Sequence, residues 1–144
     1  MKNYNLAVVG ATGNVGREIL NILEQRSFPI KKIHALASKK SEGTKLSYGN
    51  DKEITVEDLD KFNFKSVDIV LSSPGSNVSK KFVPLATKAG SIVIDNTSHF
   101  RMNKDIPLIV PELNPEDLKS FKKKKSNSQS ELFYHPNGYS IETH

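Results

Sequence analysis

The chain has 144 residues, of which 36% are hydrophobic and 26% charged, enough for one core and one domain. It contains no cysteine, which excludes disulfides, thiolate metal sites and a thiol nucleophile among these residues. No apolar run reaches the length of a membrane span, and no charged-then-apolar signal segment stands at the N-terminus. A cytoplasmic location is therefore expected, with the Asn-x-Ser matches at Asn77 and Asn96 occurring by chance.

The formal net charge of +5 invites a nucleic-acid reading, but its distribution argues against one. Residues 1–118 hold 16 basic and 14 acidic side chains. Most of the excess comes from Lys119, Lys122, Lys123, Lys124 and Lys125, opposed only by Glu131 and Glu142. A short lysine run without an aromatic stacking platform is a solvated segment, so neither a nucleic-acid nor a membrane partner is expected.

In chain order, residues 4–10 ("YNLAVVG") form a short apolar run ending in glycine, the pattern of a buried parallel strand. Ile19, Leu20, Ile22 and Leu23 recur at helical spacing and predict a helix over 14–25. Residues 32–38 ("KIHALAS") read as a second strand. The stretch "KLSYGNDKEITV" holds two strand-like runs around Gly49, Asn50 and Asp51, a hairpin signal. Residues 68–75 ("DIVLSSPG") give the next strand, and 78–89 a helix that Pro84 should kink or divide. Residues 91–97 ("SIVIDNT") and 108–113 ("LIVPEL") read as two more strands.

Strands alternating with helices predict an α/β, Rossmann-like fold with a mostly parallel sheet. From Lys119 onward the pattern stops. The expectation is one incomplete domain over 1–121, followed by an aberrant, disordered tail over 122–144.

Three stretches carry candidate chemistry. "GATGNVG" sets Gly10, Gly13 and Gly16 three apart between a strand and a helix. A tight turn there lets backbone approach a pyrophosphate, and the helix N-terminus offers N–H groups and positive dipole. The spacing is GxxGxxG rather than GxGxxG, so the strand–turn–helix context carries the dinucleotide reading. At the end of the second strand, Ser38, Lys39, Lys40 and Ser41 stand where an NAD site places a carboxylate. Two ammonium and two hydroxyl groups suit a 2′-phosphate, which favours NADP; lysines of an ordinary surface loop are the plainer reading. In "DNTSHFRM", Arg101 follows a strand's C-terminal end. It is either an anion-holding guanidinium or a surface ion pair to Asp105 or Glu112. His34 and His99 lack metal-ligand spacing and read as structural.

Together "VVGATGNVGREIL", "ALASKKSEG", "SSPGSNVSKKF", "IDNTSHFRM" and "PLIVPELNPEDL" resemble, in order and spacing, the N-terminal region of aspartate-semialdehyde dehydrogenase. N-acetylglutamyl-phosphate reductase, which shares fold and chemistry, fits less well around Ser73 and Asn96. The resemblance implies NADPH-dependent reduction of aspartyl phosphate to the semialdehyde, toward lysine, threonine and methionine, in a homo-oligomer. It implies that a cysteine thiolate displaces phosphate to form a thioester that accepts hydride, with a histidine as acid–base. Thr12, Gly13, Asn14 and Val15 would then contact the pyrophosphate, and Lys40 and Ser41 the 2′-phosphate. Ser73, Pro74 and Gly75 would lie beside the nicotinamide, and Arg101 would hold the substrate phosphate. Lys40 stands where many relatives carry arginine, keeping charge without the bidentate fork.

The family's "NPNCST" nucleophile segment is absent. The resemblance therefore implies an inactive fragment, with a non-catalytic NADP-binding module as the alternative. Residues 129–142 ("QSELFYHPNGYSIE") bear on this. With permitted synonymous codons they can be written so that omitting the first base gives N-P-N-C-S-T-I-Q-M-V-I-A-L. First and second codon bases are largely fixed by the residues, so this match points to a change of reading frame within the A-rich lysine codons just upstream. Nucleotide sequencing across codons 119–144 is expected to show that cysteine-encoding alternative frame; its absence would refute the reading.

Overall fold

The computed structural model describes residues 2–100, 102–117 and 131–134. Its sheet has seven strands: β1 (Tyr4–Val9), β2 (Ile30–Ala37), β3 (Lys45–Tyr48), β4 (Lys52–Asp58), β5 (Ile69–Ser72), β6 (Ile92–Asp95) and β7 (Glu131–Tyr134). They lie in the order β3-β4-β2-β1-β5-β6-β7. All neighbours pair in parallel except the β3–β4 hairpin. The expected Rossmann-like, mostly parallel architecture is the one observed.

The central strand explains the layering. Leu6, Ala7, Val8 and Val9 of β1 are all fully buried. Alternation sends Leu6 and Val8 to one face of the sheet and Ala7 and Val9 to the other. Leu6 and Val8 pack with Leu20 and Leu23 of helix α1 (Asn14–Gln25). Ala7 and Val9 pack with Leu36, Val70 and Phe82, Val83 and Ala86 of helix α2 (Ser76–Lys88). A strand covered on both faces has no room for polar side chains, which is why its sequence is a continuous apolar run.

Chain order fixes where a ligand can enter. The chain runs from β1 outward to β2 and β4, then crosses back to β5 on β1's other side. The crevice at the C-terminal ends of β1 and β5 is therefore a topological switch point, where open α/β sheets bind ligands.

Two expected elements differ. Residues 108–113 are not a strand: Leu108 makes a single bridge and 111–113 turn. Pro111 has no N–H for a ladder. The Asn114 side chain also takes the place of a neighbouring strand, accepting from Val110 N at 2.6 Å and donating to Leu108 O at 2.7 Å. Pro84, in turn, does not divide α2, which runs unbroken over Ser76–Lys88. Pro84 and Lys80, whose carbonyl loses its donor, are both exposed, so water can take that bond.

Of the tail 122–144, expected to be disordered, only 131–134 is described, and it adds a short parallel strand beside β6. Leu, Phe and Tyr suit an extended backbone, and the edge of β6 supplies the pairing. The rest of that tail lies outside the described residues. Among the described residues no helix is long and apolar enough to cross a membrane.

Candidate functional site

The loop between β1 and α1 is a turn closed by its own backbone. Gly10 N and Ala11 N donate to Leu36 O at 2.9 and 3.2 Å, and Gly13 N donates to Gly10 O at 3.1 Å. Gly10 has φ +79°, and a Cβ there would meet the Ser73 carbonyl carbon and oxygen at 2.9 Å. At Gly16 a Cβ would come within 2.1 Å of Gly10 O. Glycine at both positions lets α1 start directly above the end of β1 and against the loop after β5. Gly13 caps α1 without a side chain, so the first-turn N–H groups are left for an incoming acceptor.

This loop lines a cavity of about 480 Å³ through Gly10, Thr12 and Gly13. Ala37 and Ser38 enter it from the end of β2, and Ser73 and Pro74 from the end of β5. Its apolar lining comes from Leu59 and Phe62, after β4, and from Val78, Phe82 and Leu85 of α2. Its two charged groups are Asp60 and Lys81. The Ser73 hydroxyl is buried with no hydrogen-bond partner. A buried hydroxyl left unpaired beside a polar-floored cavity suits a ligand able to complete it.

Six expected residues therefore meet in one cavity: Gly10, Thr12, Gly13, Ser38, Ser73 and Pro74. Asn14, Val15, Gly16, Lys40, Ser41 and Gly75 do not line it. Asn14 and Val15 form the first turn of α1, and Gly16 packs beneath the loop. Lys40 and Ser41 lie on the 3-10 turn Lys39–Ser41, immediately after Ser38. Gly75, at φ +96°, is the N-cap of α2. Arg101 lies outside the described residues.

The stretch leading to Arg101 is nevertheless well anchored. The fully buried Asp95 accepts from Ser72 Oγ (3.0 Å), Ser79 Oγ (3.1 Å), Thr97 N (3.1 Å) and Thr97 Oγ1 (2.8 Å). A buried carboxylate is tolerated because its lone pairs are satisfied in this way. Ser98 Oγ and Ser76 Oγ, 2.8 Å apart, tie the same loop to the start of α2. His34, expected to be structural, is buried, with Nδ1 2.5 Å from Glu57 Oε1. Its ring meets that of Phe62, a lining residue of the cavity, edge-on at 4.8 Å.

Sequence reasoning missed the apolar wall and both charged groups. For α2 a signal existed: Val78, Lys81, Phe82 and Leu85 follow the i, i+3, i+4, i+7 spacing of one helical face. For Leu59, Asp60 and Phe62 no motif marks them, since a short turn after β4 carries them to the site.

Comparison with known proteins places this architecture. The family model described as "Semialdehyde dehydrogenase, NAD binding domain" matches residues 5–121. The chain belongs to this family. It is 54% identical over 120 residues to the aspartate-semialdehyde dehydrogenase of Rickettsia bellii, covering 83% of this chain and 35% of that protein. With the enzyme of Aquifex aeolicus it shares 52% identity over 122 residues, covering 84% and 36%. The chain thus spans about a third of the length of these curated relatives. Among solved structures, aspartate semialdehyde dehydrogenase II of Vibrio cholerae, complexed with ASA, superposes with a TM-score of 0.84 at 41% identity, covering 94% of this chain and 42% of that one. The Candida albicans enzyme with NADP gives 0.72 at 25% identity, covering 92% and 42%. The resemblance read from the five motifs agrees with these matches.

Gly10 and Gly13 are not equivalent, and thermal unfolding separates them. Gly10→Ala must place a side chain at positive φ against backbone, and is expected to cost about 2–3 kcal/mol, lowering the midpoint by roughly 5–15 °C. Gly13→Ala meets its nearest atom at 3.4 Å and should unfold close to the original temperature. Equal midpoints for Gly10→Ala and the unchanged chain would contradict the close approach.

Proposed function

We propose that the chain is the NADP-binding portion of an aspartate-semialdehyde dehydrogenase. The observation that carries this reading is the meeting, at the β1/β5 switch point, of the glycine turn, the uncapped start of α1 and the unpartnered Ser73 hydroxyl. The family description and the Candida albicans relative with NADP support it.

In this reading the first-turn N–H groups of α1, at Asn14 and Val15, hold the pyrophosphate with Thr12 and Gly13. The adenine lies against the apolar lining of Leu59, Phe62 and the α2 face. Ser38, Lys40 and Ser41 serve the 2′-phosphate, the lysine as a point charge rather than a fork. Ser73, Pro74 and Gly75 flank the nicotinamide, and the loop held by Asp95 presents Arg101 to the phosphate of aspartyl phosphate. Bound NADPH supplies hydride.

These residues bind and orient; they do not supply a nucleophile. The 144 residues contain no cysteine, so acyl transfer to a thiolate requires one from outside them. Hydroxyls do not substitute, since a serine needs an activating base and none of the cavity's serines has a histidine beside it among the described residues. The chain alone is therefore a cofactor-binding piece without activity of its own.

Titration of the 144-residue chain with NADPH is expected to give saturable binding, with no phosphate-dependent NADP+ reduction in the presence of the semialdehyde. Absence of binding would overturn the cofactor reading. Measurable turnover would overturn the requirement for an external thiolate.

A further inference from the structure

We infer that Lys81 is a phosphate-recognising residue of this dinucleotide site. The inference rests on the function proposed above and assigns a residue to it that neither the motifs nor the resemblance singles out. Lys81 belongs to the α2 face that walls the cavity, flanked by Val78, Phe82 and Leu85. It contributes the only ammonium among the residues lining that cavity; Lys39 and Lys40 lie on the neighbouring turn outside it.

Lys81 forms no ion pair among the described residues, whereas Lys45, Lys52 and Lys61 each lie within 4.0 Å of a carboxylate. Asp60, the other charged group of the lining, is on the wall formed after β4. The cavity is thus bordered by an uncommitted cation on α2 and by the glycine turn on a different element. A dinucleotide carries its charge on phosphates, and a lysine is a point-charge donor suited to them at variable geometry. Its flexible stem lets it follow the phosphate from an exposed position.

The alternative is a solvated surface lysine whose stem merely borders the cavity. The two differ in what removing the charge does to binding. The test compares Lys81→Gln, Lys81→Arg and Lys80→Gln, the last altering an exposed lysine outside the lining, in the full 144-residue chain. NADPH and NADH are titrated at low and high salt, and adenosine serves as the uncharged probe. Lys81→Gln is expected to weaken NADPH binding about tenfold at low salt and less at high salt. Lys81→Arg should stay within about twofold, Lys80→Gln should be unchanged, and adenosine binding should be the same in all.

A loss shared by NADPH and NADH assigns the contact to the pyrophosphate, and a loss confined to NADPH assigns it to the 2′-phosphate; both uphold phosphate recognition. Unchanged NADPH binding in Lys81→Gln, an equal loss in Lys80→Gln, or an equal loss for adenosine overturns it. Failure of the unsubstituted chain to bind NADPH would instead sink the underlying cofactor reading, and this inference with it. Unfolding midpoints of the three variants check that each remains folded.

Discussion

The absence of a side chain at Gly16 is the constraint on which the rest of the site depends. With a Cβ only 2.1 Å from Gly10 O, no other residue could let α1 rest where it does. That contact brings the uncapped helix terminus to the end of β1. The left-handed turn at Gly10 then leaves room for the backbone of Ser73 and Pro74 from β5. Two strands and a helix thus meet at one crevice. Backbone packing sets one border of the cavity, and the side chains of Leu59, Phe62, Val78, Phe82 and Leu85 complete its lining.

The polar groups below the crevice are built on the same plan. Asp95 sits at the end of β6, entirely buried, and collects hydrogen bonds from β5, α2 and the following loop. Losing the carboxylate would leave Ser72, Ser79 and Thr97 short of their acceptor, at a cost of about 1–3 kcal/mol for each buried group left unpaired. Its hydrogen bonds tie the start of the following loop, at Thr97, to β5 and α2. None of Ser72, Ser79, Asp95 and Thr97 lines the cavity, so this network and the cavity lining are separate sets.

Much of this was legible in the sequence because the informative signals were local. Glycine spacing between an apolar run and a helical pattern located α1 at Asn14–Gln25 and the loop before it. The hairpin turn at Gly49 to Asp51 was equally clear. What remained hidden depended on partners distant in sequence. The Asn114 side chain satisfies the backbone of Leu108 and Val110, which turns an apolar run away from strand geometry. Propensity alone has Pro84 kink or divide α2; it does not divide it, because water can serve the exposed Lys80 carbonyl. Lys81 carries no sequence signal, since a lysine on an amphipathic helix is ordinary until the cavity it borders is known. The relation to semialdehyde dehydrogenases rested on five ordered motifs, which is why it agreed with the family match over residues 5–121.

The central claim is that the crevice above β1 and β5 is where a dinucleotide is held. Amide chemical shifts of the 144-residue chain, followed during addition of NADPH, test it most directly. The account predicts that the largest changes fall at Gly13, Asn14, Val15 and Ser73. Shifts concentrated instead around the separate hollow between Phe28 and Tyr48, or no shifts at saturating cofactor, would contradict it.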